Sequence, residues 1–392
     1  MGYSRRKLSQ LETLYGKQLK KPIADIIRLM PRNFSDAEFV LAFQKYYRYI
    51  WDDLCREHNY YVRKNKTFRG RKPLLFPSAG AFVLSKAGHV IKKARQDRQV
   101  VLSQEEKDKL RCELERQCIE KLKKREEKVK ENTILLQDVV PNYADNMIDS
   151  YFYNRKNNPA DVNIRYYILK EIAKFDNKRF ISFFFKVMSS ERNDSCREFA
   201  FRTLKKWDMT VHLPKKRKGR KSPNEHVQPA LPSNPDEQMQ LLYTLQLEKE
   251  KSYNVFLSHR STDRGKVIHV KDTLNRYGLS VYVDWMLDSE GLPREKMNDN
   301  TINVLKWRIL QSDCLLYLHT ENCKESTFIP IELDYADEHA KPMAVLNFDG
   351  SLETDTTQCK PHVAIKEDRV FVVVDGKEIE FDKWLNIKKQ EK

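Results

Sequence analysis

The chain has 392 residues, 40% of them hydrophobic, and carries 72 Lys and Arg against 56 Asp and Glu. That length allows two or three domains with real cores, and no uninterrupted apolar run approaches the ~18 residues of a membrane-spanning helix. The first residues lead into a charged amphipathic helix without an apolar signal-peptide core, and no Ser or Thr follows Gly2 where a myristoylation signal needs one, so the expectation is a soluble, cytoplasmic protein with no membrane partner.

Seven cysteines, Cys55, Cys112, Cys118, Cys196, Cys314, Cys323 and Cys359, form an odd, scattered set without a C-x-x-C pair. They read as free thiols in a reducing compartment, and the nine histidines never fall at metal spacing beside them, so no metal site is expected. The charge is uneven. Residues 252–392 hold 19 Lys and Arg against 24 Asp and Glu, whereas residues 1–251 hold 53 against 32. A basic half of this kind points to an acidic partner, either nucleic acid or an acidic protein surface.

Residues 1–135 read as a basic helical domain. Ser35-x-x-Glu38 has the form of a capping box, and Phe39, Phe43, Tyr46, Tyr47, Ile50 and Leu54 follow at helical spacing as core. Around Gly70, Lys64, Lys66, Arg69, Arg71 and Lys72 make a candidate phosphate- or partner-contacting patch, with a solvated loop as the alternative. A dense charged helix is predicted over 103–131, with Leu110, Leu114, Ile119 and Leu122 as its thin apolar stripe.

Residues 136–212 suggest stacked helical hairpins, weakly HEAT-like, with helices over 164–172, 179–185 and 196–207. Too few units are present for a solenoid, so this region should dock onto a neighbour. Residues 213–235, rich in basic residues and proline, read as a linker or an exposed hairpin. A helix over 236–249, carrying Met239, Leu242, Leu245 and Leu247, then leads into the last domain, 236–392.

In that domain strand and helix alternate. Val255, Phe256 and Leu257 form the continuous apolar run of a strand covered on both faces, and Ser258, His259, Arg260, Ser261 and Asp263 follow at its carboxyl end. Val267, Val270, Leu274 and Tyr277 mark a helix closed by Gly278; a second strand spans 279–283, and a loop over 286–300 precedes a helix with Ile302, Leu305 and Ile309. A third strand is predicted over 314–318, a helix over 326–339 and a fourth strand over 343–348. The result is a doubly wound parallel sheet, in which ligands bind beyond the strand ends. Past it, Asp375-Gly376 sits between two β-rich runs, a hairpin signal.

This order of elements resembles the Toll/interleukin-1 receptor (TIR) domain, a small flavodoxin-like fold opened by a strand ending F-L-S-H-x-S-x-D, here residues 256–263. The resemblance covers about 252–350 and includes Gly278, Asp284, Gly291-Leu-Pro293, Ser312-Asp313 and Ser326-x-Phe328-x-x-x-Glu332-Leu333. TIR domains that cleave NAD carry an aromatic residue, usually Trp, four residues before a Glu; here Phe328 and Glu332 hold those positions, on one helical face with Ser326 as the expected N-cap. Phe for Trp departs from that pattern, and so does the added hairpin.

The resemblance implies an NAD-cleaving effector of the prokaryotic immune type, acting on self-association through the TIR domain, with NAD+ as substrate and no cofactor. Residues 1–250 would serve as an assembly module or as a sensor of a phage-derived protein or nucleic acid. Glu332 would be the catalytic carboxylate, steadying a ribosyl cation as nicotinamide leaves. Ser258, His259, Arg260, Asp263, Arg264, Trp285 and Phe328 are the candidate substrate contacts: the arginines for the pyrophosphate, and Trp285, or Tyr282, for stacking on a ring. Plainer readings stand beside these: Glu332 on a solvated acidic helix face, Phe328 and Trp285 as packing, His259 as locally bonded. A non-enzymatic TIR adaptor, or a nucleic-acid sensor with a regulatory TIR domain, would also fit.

Overall fold

A computed structural model describes residues 3–31, 33–66, 73–96, 102–134, 136, 139–141, 143–158, 161–175, 177–212, 225–348, 360–366 and 369–390. The chain divides into two compact units, one of Met1–Asn132 with Phe201–Gly219, the other of Thr133–Ala200 with Arg220–Lys392.

The first unit is helical: α1 (Tyr3–Gln18), α2 (Lys20–Leu29), α3 (Asp36–Tyr46), α4 (Arg48–Lys66), α5 (Ala79–Gln96) and most of α6 (Gln104–Ile134). Its core is strongly aromatic, with Tyr15, Phe39, Phe43, Tyr61, Phe76 and Phe82 buried. Ser35 and Glu38 form the reciprocal cap that starts α3, and Tyr47, at φ −125°, ψ 39°, separates α3 from α4. Ser103 and Glu106 cap α6 in the same reciprocal way. Along α6, Leu114 and Cys118 are buried while Ile119 is 67% exposed, which corrects the expected stripe. Steps of four keep Leu110, Leu114, Cys118 and Leu122 near one face, and Ile119 turns away from it. Lys64 and Lys66 lie in the last turn of α4; Arg69, Arg71 and Lys72 lie outside the described residues.

In the second unit α7 (Tyr143–Asn157), α8 (Val162–Ile172), α9 (Lys178–Ser190) and the first part of α10 (Asp194–Lys206) precede α11 (Pro235–Thr244) and α12 (Gln246–Lys249). Helix α7 is additional to the three expected; Tyr143, Met147 and Tyr151, four residues apart, bury its inner stripe. The 236–249 helix is interrupted at Leu245, whose ψ of 114° is extended. Residues 213–224 of the expected linker are outside the described residues.

The sheet has seven strands in the order β2-β1-β3-β4-β5-β6-β7: β1 (Tyr253–Ser258), β2 (Val281–Tyr282), β3 (Ser312–His319), β4 (Met343–Asn347), β5 (His362–Lys366), β6 (Arg369–Val374) and β7 (Lys377–Glu380). Strands β2, β1, β3, β4 and β5 run parallel, and β6 and β7 continue the edge antiparallel. The order 2-1-3-4-5 is the flavodoxin-like one, with its switch point beside β1. Between strands run α13 (Arg264–Arg276), the short α14 (Asp284–Leu287), α15 (Asp299–Leu310) and α16 (Phe328–Glu338), and α17 (Phe381–Gln390) closes the described chain.

Both faces of the sheet are covered, so the central strands are apolar without alternation: Val255, Phe256, Leu257, Leu315, Leu316 and Leu318 are all buried. The hairpin signal is realised as a two-residue turn with Asp375 at φ 50° and Gly376 at φ 76°, the positive pair a type I′ turn demands. It lengthens the sheet beyond four strands. Gly278 caps α13 at φ 75°.

A buried ion cluster ties helices α8 and α12 to the α/β domain. Arg308, fully buried, donates to Asp288 at 2.8 Å and to Glu248 at 2.6 Å. Lys251 pairs with Glu248 and Glu171, and Lys174 with Glu171 and the carbonyl of Leu287. Burial alone would push the Asp288 carboxyl up, but Arg308, Lys251 and Lys174 together hold it well below the usual carboxylate range. Tyr143 packs edge-on against Tyr253, with ring centroids 6.2 Å apart. The docking expected of the helical hairpins thus falls on the start of β1. No helix among the described residues is long and apolar enough to cross a membrane.

Candidate active site

Strand β1 ends at Ser258, and the chain turns there into a loop, a single 3₁₀ turn (Ser261–Asp263) and α13. Strand β2 ends one residue before Val283, and Asp284 and Trp285 open α14. Helix α16 follows β3 through a 3₁₀ segment, Glu321–Glu325. All three connections emerge at the carboxyl ends of the strands around the switch point, the place where this architecture leaves a crevice.

Glu332 stands on the second turn of α16 and is turned inward, 9% exposed. Its Oε2 accepts a 2.6 Å hydrogen bond from Ser258 Oγ. Burial pushes the carboxyl up to about 8; the Ser258 hydrogen bond opposes that shift and the charge of Asp284 adds to it. The solvated acidic face exists, since Asp334, Asp337 and Glu338 are exposed, but Glu332 is not part of it. Two turns of helix separate the two environments by nothing more than azimuth.

His259 is almost enclosed, and both ring nitrogens are engaged. Nδ1 lies 2.8 Å from the Leu257 carbonyl, and Nε2 receives the Trp285 indole N–H at 3.0 Å. An indole nitrogen only donates, so Nε2 accepts and the proton of this neutral imidazole sits on Nδ1. Asp284 Oδ1 lies 3.5 Å from the same Nε2 and is buried without a hydrogen-bond partner. Trp285 is half-buried against the core, with the Arg264 guanidinium 5.0 Å from its ring centroid.

The other predicted contacts sit as follows. Arg260 Nη1 donates to the Glu325 carbonyl at 3.0 Å, which ties the β1 loop to the segment before α16. Asp263 is buried and accepts from Thr320 Oγ1 at 2.7 Å and Asn322 Nδ2 at 2.8 Å, so both carboxylate oxygens brace the β3 loop. Arg264 is exposed at the first turn of α13. Phe328 is half-buried and, with Leu305 and Ile309, lines a narrow crevice of about 10 Å³ between α15 and α16 that also touches Glu332. Ser326 lies one residue before Thr327, the N-cap of α16, and its Oγ accepts only a long 3.4 Å bond from the Ile329 N–H.

Tyr282 is not available for stacking. It is fully buried, its hydroxyl donates to Asp288 at 2.8 Å, and Arg308 lies over its ring. A residue that ends β2 inside a sheet covered on both faces has no route to a ligand. The structure adds Asp284 to the site and makes Ser258 the direct partner of Glu332. Both lie at carboxyl ends of adjacent strands, and that position was the signal available in the sequence. Among the described residues no group of three His, Cys, Asp or Glu side chains could hold a metal ion.

No family model matches the chain. It is 26% identical over 362 residues to a protein of Cytobacillus dafuensis named as a cyclic ADP-D-ribose synthase, TIR2, a match spanning 90% of this chain and 93% of that protein. It is also 35% identical over 99 residues to ThsB', named as a 3' cyclic ADP-D-ribose synthase, of Bacillus cereus strain MSX-D12. That second match takes in 25% of this chain and about half, 51%, of the relative. In its 2-1-3-4-5 sheet, its F-L-S-H strand end and its likeness to a relative along almost the whole length, the chain is similar to bacterial TIR-domain proteins.

Proposed function

We propose that this protein is an enzyme that cleaves the nicotinamide–ribose bond of NAD+. The observation that carries the reading is the inward Glu332 carboxyl, hydrogen-bonded to Ser258 at the carboxyl end of β1. The nicotinamide of NAD+ is a cationic leaving group and needs little acid catalysis. When the C–N bond breaks, the electron pair leaves with nicotinamide and the ribose carbon becomes an oxocarbenium-like cation. A carboxylate placed beside that carbon stabilises it, and a single preorganised group of this kind lowers the barrier by ~3–4 kcal/mol.

An apolar surround serves this chemistry in two ways. It keeps the carboxyl neutral in the unliganded protein, and it strengthens the attraction once a cationic substrate draws the proton off. The cation is then captured by water, which loses a proton to give ADP-ribose, or by a nucleophile of the same molecule, which gives a cyclic product. The names of both relatives support the cyclic outcome.

Arg264, exposed beside Trp285, would supply a cation for the pyrophosphate. Action in anti-phage defence, and activation by self-association of the TIR domain, belong to the same proposal and rest on the family resemblance. The test is incubation of the purified full chain with NAD+ at high protein concentration, with chromatography and mass analysis of the products. Nicotinamide with an ADP-ribose product, linear or cyclic, supports the reading; intact NAD+ under conditions where the protein is assembled overturns it.

A further inference from the structure

We propose that His259 is a positioning residue whose acceptor nitrogen fixes the Asp284–Trp285 corner beside Glu332, a role that rests on the NAD-cleavage reading. Strand β2 is only two residues long and pairs with β1 at Val255↔Val281 and Phe256↔Tyr282. Backbone pairing between the two strands therefore stops before the residues that form the site. Beyond that point the Trp285–His259 bond spans from the β2 end to the β1 end at side-chain level, 3.0 Å long and largely shielded from water.

The brace is anchored on its own strand. Nδ1–H donates to the Leu257 carbonyl, which fixes the ring plane and leaves Nε2 as the acceptor. The arrangement parallels a metal-bound or catalytic histidine, in which the far nitrogen is held so that the near one points correctly, except that the near nitrogen here holds a tryptophan. Asp284, the residue before Trp285, moves with it, and its carboxylate is one of the charges that reach Glu332. If the corner swings away, Asp284 no longer faces Glu332, and the indole no longer supports Arg264.

The two nitrogens can be tested separately. The amide of Asn overlays the Nδ1 side of an imidazole and that of Gln overlays the Nε2 side. His259→Asn keeps a donor for the Leu257 carbonyl and removes the acceptor for Trp285. His259→Gln keeps an acceptor at the Trp285 position and removes the other bond. A positioning role predicts a kcat loss of about 10- to 100-fold in Asn with little change in KM, and recovery of most of that loss in Gln. A purely structural tie to Leu257 predicts the reverse order.

Trp285→Phe removes the indole donor and should lower kcat as much as Asn does. The double variant should be no worse than either single, because both remove the same bond. The indole N–H resonance of Trp285, assigned in the full chain, should shift in Asn and stay near its wild-type position in Gln. If wild-type protein releases no nicotinamide, the NAD reading falls and this role with it. With an active wild type, an unmoved indole resonance in Asn, equal impairment of Asn and Gln, or additive Phe and Asn losses overturns the role of His259 alone.

Discussion

Replacing Glu332 with Gln should make the protein a far slower catalyst and, at alkaline pH, more stable than the wild type. The two effects have one cause. In the folded chain burial raises the Glu332 carboxyl from 4.5 to about 8. The folded state then holds its proton more tightly than the unfolded chain does. Wild-type stability is therefore fully present below about pH 4.5 and drains away as the pH climbs through 8. At ~1.4 kcal/mol per pH unit the shift is worth at most about 5 kcal/mol above pH 8. Gln cannot ionise, still accepts the Ser258 hydroxyl, and escapes that loss. For a unit of this size each kcal/mol moves the melting temperature by about 2–4 °C. Thermal melts of the two proteins should coincide within about 3 °C at pH 5, and the variant should lead by up to roughly 10–20 °C at pH 9. Nicotinamide release by the variant should fall about 10²- to 10³-fold. A stability gap that is the same at pH 5 and pH 9, or a variant that melts earlier at pH 9, would refute the desolvated carboxyl. Undiminished release from a folded variant would remove Glu332 from the chemistry.

The same shift predicts that kcat/KM for NAD+ rises with pH toward a plateau above about 8, as the free protein's carboxyl ionises. Ser258→Ala removes the hydrogen bond that opposes this shift, so that limb should move to higher pH; a limb that stays put would show that Ser258 does not act on Glu332. Arg308→Met strands the buried carboxylates of Asp288 and Glu248 and should cost about 3–5 kcal/mol, read as a lower denaturant midpoint. Glu248→Gln added to that variant should recover part of the loss, which purely additive losses would rule out. A Cβ at Gly291 would come within 2.9 Å of the Gln238 side chain, its Cβ included, so Gly291→Ala should displace the loop against α11. Trypsin cleavage near Arg294 faster than in the wild type would register that change, and an unchanged digestion pattern would show that the loop absorbs the methyl group.

Much of this protein is written in local sequence. Ser35 and Glu38 close a cap across one turn, Gly278 and Asp375-Gly376 supply positive φ, and the unbroken Val255-Phe256-Leu257 run requires cover on both faces. These are nearest-neighbour constraints, and they give element type and, through short right-handed connections, the parallel order of β1 to β4. Periodicity also placed Phe328 and Glu332 on one helical face. It did not orient that face, because the helix carries acids on several sides and only packing against β1 decides which one turns inward.

What tertiary structure alone decided lies between residues distant along the chain. The 74-residue separation of Ser258 and Glu332 hides their hydrogen bond from any local reading. The same holds for the convergence of Asp284, Trp285 and His259, and for the Arg308 cluster that joins Glu171, Glu248, Lys251 and Asp288. The sequence by itself determined that a strand ending in Ser258-His259-Arg260 would present polar groups beyond a buried sheet. Folding determined which were spent on structure, as Asp263 and Tyr282 are, and which, as Glu332 is, were desolvated. Exposure and charge state follow from the surrounding atoms rather than from the residue's own neighbours in sequence.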